Sequence, residues 1–98
     1  MGEMLYYKLM LSFRYTKHAE EKLIRLRKVG IILTKRLINH TVTHPEKREH
    51  RSDGTTIGMI SLDETHVLRV VYRKDKQAMV IITMYPGRIK QYGLPLRS

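Results

Sequence analysis

VLRVVYRKDKQAMVIITMYPGR, residues 67–88, decides the fold. Two apolar runs, VLRVVY and AMVIITMY, flank the charged stretch RKDKQ. Runs rich in β-branched and aromatic residues on either side of a short polar segment read as a β-hairpin. Successive strand residues point to opposite faces, so Leu68, Val70 and Tyr72 share one side while Val67, Arg69, Val71 and Arg73 share the other. The side beneath helices has to be apolar, which makes Leu68–Val70–Tyr72 the core side. Arg69 and Arg73 are then expected on an open face.

The neighbouring segments extend the pattern in both directions. TTIGMISL (55–62) reads as a further strand, preceded by the turn signal Asp53-Gly54 and followed by a polar DET turn. Upstream, apolar residues recur at helical rather than alternate spacing. Thr16 is a good N-cap, and Glu20 and Glu21 fall in the first turn, where the helix dipole favours negative charge. Ala19, Leu23 and Leu26 form an apolar stripe, and His18, Lys22 and Arg25 form a basic stripe beside it. Gly30 closes this helix. Ile31 to Thr43 reads as a second helix, capped by Thr34, with Leu37, Ile38 and Thr41 inward and Pro45 as its stop. LYYKLMLSF (5–13) reads as an N-terminal strand. The expected class is α+β: a strand, two helices, then a three- to four-stranded antiparallel meander with the helices on one face.

Ninety-eight residues make a single domain, 1–98. The chain carries 19 Lys and Arg against 9 Asp and Glu, a net charge of +10. That excess points to a polyanionic partner, above all nucleic acid. It concentrates in residues 14–51, where eleven basic residues face four acidic ones and four of the five histidines lie. Without cysteine there is no disulfide framework and no thiol nucleophile. No apolar run is long enough to span a membrane, and Glu3 with the interrupted apolar start does not make a signal peptide. A cytoplasmic protein with no membrane partner is expected.

His40 and His44 stand four apart, with His50 beyond, but no cysteine or well-spaced carboxylate completes a metal set, so neither metal nor cofactor is expected. Ser61 has no evident base partner, and YPGR (85–88) is a turn rather than a phosphate loop. The chemistry-bearing residues left over are Arg69, Arg73, Tyr85, Arg88, Lys90 and Tyr92. Bases stack on aromatic rings and guanidinium planes while phosphates pair with the charges, so this mixture suits RNA. His18, Lys22 and Arg25 add a basic helical flank to that surface.

LRVVY (68–72), VIITMY (80–85), Arg88 and Tyr92, in this order of elements, resemble the RelE/ParE superfamily of small toxins. TKHAEEKLIRLRKVGI (16–31), INHTVTHP (38–45), VLRVVY and IITMYPGR are similar to an uncharacterised prokaryotic branch of it, over almost the whole chain from Tyr15 to Tyr92. The resemblance implies a RelE-like fold and a toxin-like, metal-independent ribonuclease acting on messenger RNA, ribosome-bound in some members. It implies Arg69 and Arg88 on the scissile phosphate and Tyr92 in proton transfer. It also implies an acidic antitoxin protein as partner and leaves room for a homodimer. A non-catalytic RNA- or DNA-binding module, or a ParE-like interaction domain, is the alternative expectation.

Overall fold

The computed structural model describes residues 12–89. Seven elements follow one another: β1 (Ser12–Tyr15), α1 (Lys17–Lys28), α2 (Lys35–Thr43), β2 (Lys47–His50), β3 (Thr56–Ser61), β4 (His66–Asp75) and β5 (Ala78–Arg88). The strands form one five-stranded sheet in the order β1-β5-β4-β3-β2. Pairing is antiparallel except between β1 and β5, which run parallel. The α+β class is as expected, with differences in detail. The meander has four strands, the upper number expected, and its first strand, β2 at the sheet edge, is a segment that the sequence reading did not place. The N-terminal strand, read as 5–13, runs to Tyr15 in its described part, and residues 5–11 lie outside the described residues.

The second helix is shorter than expected. Thr34 does cap it, its hydroxyl accepting from the Leu37 N–H at 3.1 Å, but Ile31–Leu33 are a loop rather than a first helical turn. The reason lies at the end of α1. Gly30 takes φ of 87°, and the Gly30 and Ile31 amides donate back to the Arg27 and Leu26 carbonyls at 3.0 and 2.8 Å. This paired closure turns the chain away from the helix axis, and a new helix cannot begin until the next cap. The β4–β5 hairpin is also tighter than RKDKQ implied. β4 continues through Asp75, leaving Lys76-Gln77 as the loop, with Lys76 in the left-handed region at φ 57°.

Leu68, Val70 and Tyr72 do face the helices. They join Ala19, Leu33, Ile38, Val42, Ile60, Ile81 and Met84 in one buried cluster. Helix α2 sits so close to the sheet that a Cβ on Gly58 would stand 2.9 Å from the Thr41 carbonyl oxygen. The other face corrects an expectation. Val67 and Val71 are buried there with Ile57, Met59 and Ile89, and Ile82 packs alongside. Around these residues the face is therefore a second buried apolar cluster and not an open surface. Arg73 is exposed near the hairpin end, and Arg69 is half-buried within this side.

A β-bulge joins the two faces. Val71 pairs with Thr83 and Tyr72 with Ile81, so Ile82 is the extra residue of β5. Strict alternation would place Ile81, Thr83 and Tyr85 together. The bulge instead puts Ile81 and Met84 on the helix side and brings Tyr85 opposite Arg69. Thr16 grips this irregularity. Its N–H donates to the Ile81 carbonyl at 3.0 Å, and its hydroxyl donates to the Ile82 carbonyl at 3.2 Å while accepting from the Ala19 N–H at 3.1 Å.

Two stability predictions follow from these contacts. Thr16→Val removes both the cap and the donor to the bulge, and is expected to cost about 1–2 kcal/mol in urea unfolding. Thr16→Ser should keep most of it. Gly58→Ala should cost about 1–3 kcal/mol, since the Thr41 carbonyl is backbone and cannot swing aside. A neutral Gly58→Ala result would contradict the close approach of α2.

Candidate functional site

On the face opposite the helices, register pairing lines up Lys47, Met59, Arg69 and Tyr85 across four strands. The next row is Glu49, Ile57, Val71 and Thr83. Adjacent strands are about 4.8 Å apart, so the charged and aromatic ends of these rows fall within the reach of one short polyanion. Met59 and Ile57, between these ends, are buried in the second apolar cluster.

Helix α1 supplies the remaining cation. Anchored at Thr16 on the bulge, it carries Lys22 to a point where its ammonium lies 3.7 Å from the Tyr85 ring centroid and 3.5 Å from Thr83 Oγ1. A cation on the face of an aromatic ring is attracted by the ring quadrupole. Partial burial, and secondarily the neighbouring Arg25 charge, lower the Lys22 pKa below the ordinary lysine value. Tyr85 is 40% exposed, so its ring remains available beside the ammonium. The Arg69 guanidinium, its side chain 23% exposed, lies 4.0 Å from the Glu49 carboxylate. Lys22 and Arg69 thus lie beside one ring and one carboxylate, with Lys47 two strands from Arg69 in the same row.

The structure brings together Lys22, Arg69 and Tyr85 from the sequence reading. His18 and Arg25 are exposed on α1, and Arg73 is exposed farther along β4 opposite Val80. Lys90 and Tyr92 lie outside the described residues. Arg88 is not beside Arg69: it pairs with His66, three rungs away. There it lines a groove with the α1–α2 loop, together with Ile31, Leu37, Leu62 and Pro86. Lys47, Glu49 and Thr83 are site residues that the sequence reading missed. Lys47 and Glu49 belong to KREH (47–50), which has no apolar residue to announce a strand. Their only signal was polar punctuation before a hairpin turn.

His40 and His44 stack with ring centroids 5.0 Å apart. Among the described residues, no group of three or more His, Cys, Asp or Glu side chains is arranged to hold a metal ion. The chain matches no family model, no curated protein and no solved structure.

At the rim of the groove, Asp63 organises the β3–β4 turn. Its Oδ1 accepts from the Thr65 and His66 amides, both at 2.8 Å, and His66 Nδ1 lies 3.0 Å away. These bonds, the Thr65 amide first and the His66 ring next, hold the Asp63 pKa down to about 2. A depressed carboxylate contributes stability that is full above its unfolded value, about 3.8, and is lost as pH falls through about 2. Wild type should therefore lose more stability than Asp63→Ala between those two values, measured by urea unfolding at each pH. Parallel curves would show that the turn is not linked to Asp63 ionisation.

Proposed function

We propose that this protein engages RNA on the Lys22–Arg69–Tyr85 face and cleaves it as a toxin-like, metal-independent ribonuclease. The observation that carries the reading is the Lys22 ammonium 3.7 Å above the Tyr85 ring, with Arg69 directly opposite Tyr85 in register. A ring and two cations at this spacing suit one nucleotide, the base on the ring and the phosphate between the charges. In cleavage through the 2′-hydroxyl, Arg69 stabilises the charge that builds on phosphorus. Lys22, which gives up its proton more readily than an ordinary lysine, is fitted to proton transfer. The role that the resemblance implies for Tyr92 lies outside the described residues. The partner that goes with this reading is an acidic, antitoxin-like protein covering the basic face.

One observation favours the alternative, a binding module without chemistry. The Glu49 carboxylate beside Arg69 offsets part of the charge that a pentacovalent phosphate would use. A single experiment separates the two. Messenger RNA is incubated with purified protein, with and without translating ribosomes, beside Lys22→Ala and Arg69→Ala. The ribonuclease reading expects cleavage by wild type that falls at least tenfold in each variant. It also expects an alkaline limb of the pH–rate profile below the range of an unperturbed lysine. RNA retained on a gel without cleavage would leave only the binding module. In either case three phosphate contacts predict a slope of about −2 for log affinity against log salt, shallower by about 0.7 in Lys22→Ala. A salt-independent affinity would remove nucleic acid from consideration.

A further inference from the structure

Arg88 is the one arginine of β5, and the surface it serves is not the RNA face. It lines a groove of about 600 Å³ walled by the α1–α2 loop, the β3–β4 turn and the end of β5. Ile31, Ile32, Leu37, Leu62 and Pro86 make the walls aliphatic, and Ile32, 69% exposed, is largely open to solvent. A concavity of about 300–1,000 Å³, apolar but for a few convergent polar groups, is the usual form of a small-molecule site.

The polar side chains on the lining are Asp63, His66 and Arg88. Asp63 is engaged within its own turn, where it accepts from the Thr65 and His66 amides. The Thr65 hydroxyl donates its one proton to Asp63 Oδ1 at 3.1 Å, so toward His66 Nδ1, 2.8 Å away, that oxygen can only accept. Nδ1, which is also 3.0 Å from Asp63 Oδ1, therefore carries a hydrogen. In the neutral ring the lone pair is then on Nε2, which none of these bonds uses. Register sets Arg88 directly opposite His66, and both are exposed to an incoming molecule. Among the described lining residues there is no lysine and no second arginine. One planar guanidinium matches a carboxylate better than a doubly charged phosphate.

We propose that this groove binds a hydroxy fatty acid, an aliphatic chain whose head carries a hydroxyl close to a carboxylate. The carboxylate pairs with Arg88, the hydroxyl donates to His66 Nε2, and the tail lies along Ile31, Ile32, Leu37 and Leu62. An unsubstituted fatty acid would bring no donor to the Nε2 lone pair, and a neutral lipid would forgo the guanidinium. This site is separate from the Lys22–Arg69–Tyr85 face, and the inference holds whether or not the protein cleaves RNA.

The test titrates the full chain with 3-hydroxydecanoate, below its micellar range, by isothermal calorimetry. Decanoate, 3-hydroxybutyrate and methyl 3-hydroxydecanoate are the comparison ligands. One-to-one binding of 3-hydroxydecanoate is expected, about fivefold tighter than decanoate, which lacks the donor. Shortening the tail to 3-hydroxybutyrate should weaken binding at least tenfold, and so should masking the charge as the methyl ester. His66→Phe should bind decanoate and 3-hydroxydecanoate equally, a loss of discrimination that general destabilisation would not produce. Arg88→Gln should bind the acid no better than wild type binds the ester, whereas Arg73→Gln, the same loss of charge at the hairpin end, should bind it as wild type does. Ile32→Glu should weaken binding at least tenfold. All four positions are exposed, and far-ultraviolet circular dichroism would verify that the variants stay folded. Absence of saturable binding would overturn the proposal. Equal weakening by Arg88→Gln and Arg73→Gln would overturn it in favour of attraction to the net charge alone. Discrimination between the two long acids that survives in His66→Phe would overturn the assignment of the hydroxyl.

Discussion

The Thr16 hydroxyl is the joint on which this small protein turns. It accepts the third amide of α1 and donates to the carbonyl of Ile82, the extra residue of the β5 bulge. One oxygen thereby ends the parallel strand, starts the first helix and fixes where that helix leaves the sheet. The position of Lys22 follows from it. A helix rises about 1.5 Å per residue, so a change of direction at its first turn moves an ammonium six residues on by several ångströms. The contact with Tyr85 tolerates no such displacement. Tyr15 reinforces the joint from the preceding residue, its hydroxyl donating to Asn39 Oδ1 at 2.6 Å and tying β1 to α2. Burial first, and Glu20 second, hold that phenol protonated well above the ordinary tyrosine range.

The second constraint is that β4 is buried on both sides. Leu68, Val70 and Tyr72 lie against the helices, and Val67 and Val71 within the other cluster. A strand of this kind has almost no room for polarity, which makes Arg69 conspicuous. Its guanidinium is accommodated at the boundary of the second cluster, near Glu49 and beside an exposed ring. Burying a guanidinium without partners would cost several kcal/mol, so the surroundings of Arg69 have to be polar on one flank. The charged edge strand β2 supplies that flank through Glu49 and Lys47. The same strand, four exposed polar residues, also discourages edge-to-edge pairing of the sheet.

The two surfaces of interest divide the basic charge between them. Lys22 and Arg69 lie beside an aromatic ring on the sheet side, while Arg88 lines an apolar groove beside the α1–α2 loop. Chain topology explains the split. Arg69 and Arg88 lie on neighbouring strands of one hairpin, yet the register sets Arg88 opposite His66 at the open end. Two arginines that look like parts of one constellation in the linear order serve different surfaces.

The sequence by itself determined the class, most of the elements and the helix-facing core. Thr16, Thr34, Gly30 and Asp53-Gly54 are local signals whose effect is felt within a turn of the residue that carries it, and the alternation of VLRVVY needs no partner to be read. What only the tertiary structure decided depends on pairing. The bulge at Ile82 reverses the alternation of β5, and nothing in VIITMY reports it, because an extra residue exists only relative to the strand opposite. β2 was invisible for a related reason: KREH has no apolar periodicity and is a strand only because β3 offers it hydrogen bonds. The second apolar cluster likewise joins residues from β3, β4 and the end of β5 that are far apart in the sequence. Local chemistry fixes where the chain turns, but which side chains share a face is set by register, a property of two strands together.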